Sequence, residues 1–179
     1  MKRLLLACAL AATACNPQPG RSTGTATPTP APADAGAPPL LITSHGSPRR
    51  PLVFYGHKDG RVAYKMVVRD RAIANTAQGA GDGTFYDVTV TFYDKSGKSL
   101  QASAPRAVAV ESTQTLTLYD GVTTTTSNGD TLKCRQMVYD RANGMLHGEG
   151  GVVMRTADGY EGTGNRFDSD ITLENLRMQ

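Results

Sequence analysis

Tryptophan is absent from this 179-residue chain, phenylalanine occurs four times and cysteine three times. Charge of one sign is also scarce: 19 Lys and Arg face 16 Asp and Glu. Two of the basic residues, Lys2 and Arg3, lie in a segment read below as removed, which leaves 17 against 16, a balance of +1. A near-neutral domain has no electrostatic footprint for a nucleic-acid backbone. Long hydrophobic runs are missing too. The longest, Leu4 to Ala12, has nine residues, far short of the ~20 that span a hydrocarbon core. The length allows at most one ordinary domain with appendages. What is present instead is Thr, Gly and turn-forming residues with modest Leu, which excludes an all-α fold and favours short strands.

The opening MKRLLLACALAATAC joins a basic start, an apolar stretch and small residues before Cys15, the order of an export signal. Ala12-Thr13-Ala14-Cys15 resembles the lipobox of bacterial lipoproteins, in which the Cys is lipid-modified and becomes the new N-terminus. Two alternatives stand beside it. Leu5-Leu6-Ala7-Cys8 also fits the motif but leaves an apolar core of three residues, and ordinary cleavage near Ala14 leaves Cys15 a free thiol. With Cys8 removed and Cys15 thioether-linked, Cys134 has no intrachain partner, so no structural disulfide is expected and Cys134 reads as a small buried hydrophobe. The expected organisation is a signal over 1–14, a lipidated Pro/Ala/Thr-rich tether over 15–50 that cannot bury enough surface to fold, and one domain over 51–179.

Within that domain a period of 30 residues recurs. Ala104-Pro105-Arg106-Ala107, Cys134-Arg135-Gln136-Met137 and Gly164-Asn165-Arg166-Phe167 follow one another at that spacing, as do Gly121-Val122 and Gly151-Val152, and Leu116 and Leu146. A fixed period of this length marks stacked supersecondary units, each too small to close its own core. Strand alternation runs through Phe85 to Phe92, Leu116 to Thr126, Leu132 to Tyr139 and Gly151 to Thr156. Turn signals at Asp94 to Gly97, Ser127 to Asp130, Asp140 to Gly144 and Ala157 to Gly159 separate them. The expected fold is all-β: an elongated, open-ended jelly roll of two antiparallel sheets with about ten to twelve strands. Tyr64 to Asn75 is ambiguous between helix and strand, and Gly79 to Gly83 reads as a flexible loop.

The order of these segments resembles the LptC family of periplasmic lipopolysaccharide-export proteins, within the superfamily that includes LptA and the N-terminal domain of LptD. Asp59-Gly60, Phe85 to Tyr93, Ser99 to Ala109, Leu116 to Val122, Leu132 to Asp140, Gly151-Val152, Gly159, Gly164-Asn165 and Leu173 to Met178 carry it. The family-motif positions are Gly121, Gly151, Gly159, Gly164 and Asn165. The resemblance implies a non-enzymatic role without a cofactor: accepting lipopolysaccharide or a related glycolipid from inner-membrane ABC transporter permeases and passing it to an LptA-like periplasmic protein. It also implies a periplasmic location with the lipid anchor in the inner membrane, whereas many members use a transmembrane helix. The groove candidates are Val88, Val90, Leu116, Leu118, Val122, Leu132, Leu146, Val152 and Met154. Ile171, Leu173 and Leu176 are the candidate docking edge. The alternatives are a structural or adhesive surface β-repeat lipoprotein and an LptA-like soluble bridge.

Enzyme chemistry finds little support in the sequence. His45, His57 and His147 are scattered, without metal-ligand spacing. There is no Gly-x-Ser-x-Gly elbow, no Walker loop and no dinucleotide fingerprint. Asp168 and Asp170 read as turn aspartates beside a strand.

Overall fold

The computed structural model describes residues 41–75 and 82–179. The signal, Cys15, the tether up to residue 40 and the first part of the glycine loop lie outside them. The described residues form thirteen strands and no helix. These are β1 (Leu41–His45), β2 (Leu52–Lys58), β3 (Arg61–Val68), β4 (Arg71–Asn75), β5 (Gly83–Tyr93), β6 (Ser99–Val110) and β7 (Thr115–Tyr119). They continue as β8 (Val122–Thr126), β9 (Thr131–Cys134), β10 (Gln136–Asp140), β11 (Met145–Arg155), β12 (Glu161–Asp170) and β13 (Arg177–Met178). The ambiguous stretch from Tyr64 to Asn75 is strand. All pairings are antiparallel and link the strands into one sheet.

The sheet folds over itself because its long strands each serve two neighbours. The first half of β5 pairs β4 and the second half pairs β3. β6 pairs β8 through Leu100–Ser103 and β7 through Arg106–Val110, and β11 pairs β10 and then β9. One layer therefore runs β1, β4, first half of β5, second half of β6, β7, β10, first half of β11, second half of β12 and β13. The other runs β2, β3, second half of β5, first half of β6, β8, β9, second half of β11 and first half of β12. The fold is all-β and jelly-roll-like, as expected, with its two layers belonging to a single sheet.

The 30-residue period marks the corner between the layers. Inward side chains two apart along a strand become three apart where it turns: Phe85 to Val88, Ala104 to Ala107, Cys134 to Met137, then half-buried Gly164 to Phe167. An extra residue of this kind bends a strand and strengthens its twist. Asp87, Asp120, Gly121, Gly150 and Gly151 all lie at the corner with positive φ, a conformation that Gly adopts without steric penalty and Asp tolerates. Arg69–Asp87, Arg106–Asp120 and Arg166–Glu149 ion pairs link neighbouring strands along it. Two traverses of the layers consume one period.

Two expectations are corrected. Among the described residues strand structure is already present at Leu41, ahead of residue 51, because Leu41–His45 pair with Arg71–Asn75. All five residues of β1 are exposed, so no alternation announces the strand in the sequence. At the other end, Ile171 to Leu176 is a turn rather than a strand, and only Arg177–Met178 pair with β12. Asp170 stops β12 by accepting hydrogen bonds from the Thr172 amide, the Thr172 hydroxyl and the Asn175 side-chain amide, an Asx turn that diverts the backbone from the ladder.

Candidate functional site

The apolar positions of the two layers face each other. Val88, Val90, Val122, Leu132, Val152 and Met154 come from one layer and Leu116, Leu118 and Leu146 from the other, and all nine are buried. Eight of them are at most 1% exposed and Met154 is 8% exposed. Each such side chain, fully buried, contributes roughly 1.5–3 kcal/mol, so the layers are held together chiefly here. Aromatic contacts join them: Phe92 to Tyr139 at 4.6 Å between ring centres, Tyr64 to Tyr139 at 6.2 Å and Phe54 to Phe85 at 5.0 Å. Where a ring needs room, the opposite strand supplies glycine, with Tyr64 over Gly56 and Phe167 over Gly148.

Opposite the corner the layers part at a cleft of about 610 Å³. Ala63, Tyr139 and Ile171 form part of its apolar floor, and its rim carries both signs of charge, Lys58, Arg61 and Lys95 beside Asp59, Asp94 and Asp170. The β2–β3 and β5–β6 turns contribute from one layer; Asn143, Gly144 and Asp170–Thr172 contribute from the other. Two lysines tie the layers at this end, Lys58 from the cleft lining and Lys98 just after the β5–β6 turn. Lys58 Nζ donates to the Ala142 carbonyl at 2.5 Å, and Lys98 Nζ lies 2.5 Å from Glu174 Oε1. Outside the cleft, at a separate small cavity lined by Tyr64, Glu111 and Gln114, Arg141 is buried and pairs with half-exposed Glu111, its amide donating to the Gln114 carbonyl at 3.0 Å. Burial pushes the hydroxyls of Tyr64 and Tyr139 up from their ordinary pKa, with Arg141 opposing the shift.

The positions Gly121, Gly151, Gly159, Gly164 and Asn165, singled out in the sequence, fall in two groups. Gly121 and Gly151 take positive φ at the corner, and Gly159 takes it in the β11–β12 turn. Gly164 and Asn165 hold the C-terminus. A Cβ at residue 164 would lie 3.0 Å from the Gln179 carbonyl oxygen, and the Asn165 amide donates to that oxygen at 2.6 Å. The proposed docking edge is not an edge. Ile171 is buried at the mouth, Leu173 is buried in the core and Leu176 packs against it, because the turn that contains them folds inward. The edge strands with exposed apolar side chains lie at the opposite end of the sheet, where Leu41 and Ile42 of β1 and Val53 and Tyr55 of β2 are exposed.

The remaining candidates occupy ordinary surroundings. Cys134 is buried, and burial pushes its thiol up to about 12, so it is neutral and unreactive at neutral pH. His147 pairs across strands with Asp168 at 2.5 Å on an exposed face, while Asp170 is engaged in its turn. Among the described residues no group of three or more His, Cys, Asp or Glu could hold a metal ion, and no helix is long and apolar enough to cross a membrane. Sequence reading missed the two bridging lysines and the Arg141–Glu111 pair. The lysine contacts span 84 and 76 residues and leave no local pattern, whereas Glu111 and Arg141 are 30 apart, the repeat period itself.

No protein-family model matches this chain, and no curated protein matches it.

Proposed function

We propose that the protein is an LptC-like carrier, which holds the acyl chains of lipopolysaccharide or a related glycolipid between its two β layers in the periplasm. On this reading a lipid at Cys15 keeps the domain near the inner membrane, where it receives cargo from an ABC transporter and hands it to an LptA-like protein. The observation that carries the proposal is an apolar interior drawn from both halves of one sheet that is unpaired at its ends and parted at a charged mouth. Each CH₂ transferred from water to such an interior contributes about 0.8 kcal/mol. The exposed apolar strands β1 and β2 offer backbone donors and acceptors to another sheet.

A second reading, a β-repeat surface lipoprotein without a transfer role, draws support from the closeness of the packing. Leu100, Leu118, Leu132 and Leu146 are fully buried, so a chain entering among them must part the layers. Gel filtration of the purified protein after incubation with lipopolysaccharide separates the readings. The carrier elutes with bound lipopolysaccharide near one per protein; elution without lipid supports the structural reading.

A further inference from the structure

The chain holds two Asn-Gly pairs, Asn128-Gly129 in the β8–β9 turn and Asn143-Gly144 in the β10–β11 turn. Asn before Gly is open to attack of the backbone on the side chain, because Gly has no Cβ to screen its amide nitrogen and bends freely into the ring that the attack closes. Both asparagines are exposed, and both glycines have positive φ. The dipeptides are the same; their turns differ.

Asn143 is tied down. Its Nδ2 donates to Asp140 Oδ2 at 2.6 Å, its backbone amide donates to Asp140 Oδ1 at 3.2 Å, and the Gly144 amide donates to the Asp140 carbonyl at 2.7 Å. The carboxylate opposes both loss of the Gly144 amide proton and the negative charge that gathers on the attacked side chain. Opening this turn also disturbs buried Arg141, whose amide donates to Gln114, and Ala142, whose carbonyl accepts from Lys58. Asn128 is held far less. Ser127, Asn128 and Gly129 are all exposed. Among the described residues the Asn128 side chain has no hydrogen-bond partner, and the Gly129 amide makes a single bond, 3.1 Å to the Thr126 carbonyl.

The β8–β9 turn is also a joint. Asp130, one residue past Gly129, accepts from the Thr126 hydroxyl and, at 2.9 Å, from the amide of Ala157 in the β11–β12 turn. A Cβ on Gly129 would stand 3.6 Å from that of Ala157.

We propose that Asn128 is a site of spontaneous deamidation in the folded protein, and that the isoaspartate formed there loosens the joint between the two turns. The Gly129 amide nitrogen gives its proton to solvent and bonds to Asn128 Cγ. The Cγ–Nδ2 bond breaks, and that nitrogen leaves as ammonia with a proton taken from water. Water then opens the succinimide at either carbonyl, giving aspartate or isoaspartate, with no change of oxidation state. In isoaspartate the main chain runs through the former side chain, which adds a backbone carbon between residues 128 and 129. Gly129 and Asp130 then cannot both keep their places, and the bonds to Thr126 and Ala157 are the ones lost. None of this depends on what the interior carries.

The test incubates the full chain at pH 8 and follows both Asn-Gly peptides by mass spectrometry, with fragmentation that separates aspartate from isoaspartate. In the folded protein Asn128 should convert about tenfold faster than Asn143, equivalent to roughly one charge-assisted bond. In urea the two should convert at similar rates. Asp140→Asn, shown to be folded by its thermal melt, should raise the Asn143 rate toward that of Asn128. Equal rates in the folded protein, a faster Asn143, or a difference that persists in urea overturns the assignment of Asn128, and an Asn143 rate unchanged by Asp140→Asn overturns the shielding by Asp140. The isoaspartate form, purified by ion exchange, should unfold at a lower urea midpoint than Asn128→Asp, which carries the charge without the added carbon. Equal midpoints overturn the joint.

Discussion

Gly148 of β11 stands opposite Phe167 of β12 in the strand register, and the phenyl ring covers the place where a Cβ on Gly148 would project. The interior is thus fitted ring to glycine. Gly148→Ala should lower unfolding stability by about 1–3 kcal/mol through overpacking, read as a lower urea midpoint with unchanged slope. Adding Phe167→Leu, which removes the ring edge, should recover part of that loss; strictly additive destabilisation would show that the two positions do not meet.

Much of this fold is legible in the sequence, because burial on one face of a strand forces a period of two and the corner interrupts it. Ala104 to Ala107 and Cys134 to Met137 show the interruption directly, and the spacing of 30 between them measures two traverses. The burial of Val88, Leu118, Val122 and Val152 was legible for the same reason. β1 was not, since an exposed edge strand has no inward face to pattern. Ile171 and Leu173, two apart, imitate a strand, yet the Asp170 carboxylate bonds Thr172 and Asn175 and turns the chain inward. The mouth was illegible because Lys58 and Lys98 meet partners across the fold, where neither composition nor period points.

Cys134 should resist alkylation. Burial raises its thiol to about 12, so the neutral form persists through mildly alkaline pH. In a Cys8→Ser, Cys15→Ser variant, iodoacetamide at pH 8 should label the unfolded protein rapidly and the native protein only at the rate of opening. Rapid native labelling would place the thiol at the surface.

Acid should destabilise the turns. Hydrogen bonds from Ser96, Asn143 and Thr156 hold Asp94, Asp140 and Asp158 below the ordinary carboxylate pKa; at Asp170 burial works the other way, but bonds from Asn175 and Thr172 outweigh it. A carboxylate depressed in the folded state stabilises it above the unfolded pKa of about 3.9, and that contribution is lost as pH falls through the folded value. The urea midpoint should therefore hold from pH 7 to about 5 and fall below about 4. A midpoint that rises on acidification would contradict the turn assignments.

Arg141 should matter more than a surface arginine. It is 8% exposed, pairs with Glu111 and lies near Tyr64 and Tyr139. Arg141→Ala should destabilise by about 1–3 kcal/mol by losing both packing and charge partner, whereas Arg155→Ala, at an exposed pair with Glu161, should change stability by less than about 0.5 kcal/mol. Equal small effects in thermal melts would show that the buried Arg141–Glu111 pair does not hold the fold.

The carrier reading is tested most directly by site-specific photocrosslinking in cells that make lipopolysaccharide. Photoreactive residues replacing Leu118, Val122 or Val152, all buried between the layers, should give lipopolysaccharide adducts, and one replacing Lys133, exposed on the outer face of β9, should not. Adducts at Lys133 equal to those at Leu118, or none at any of the three interior positions in a folded protein, would contradict a lipid path between the layers.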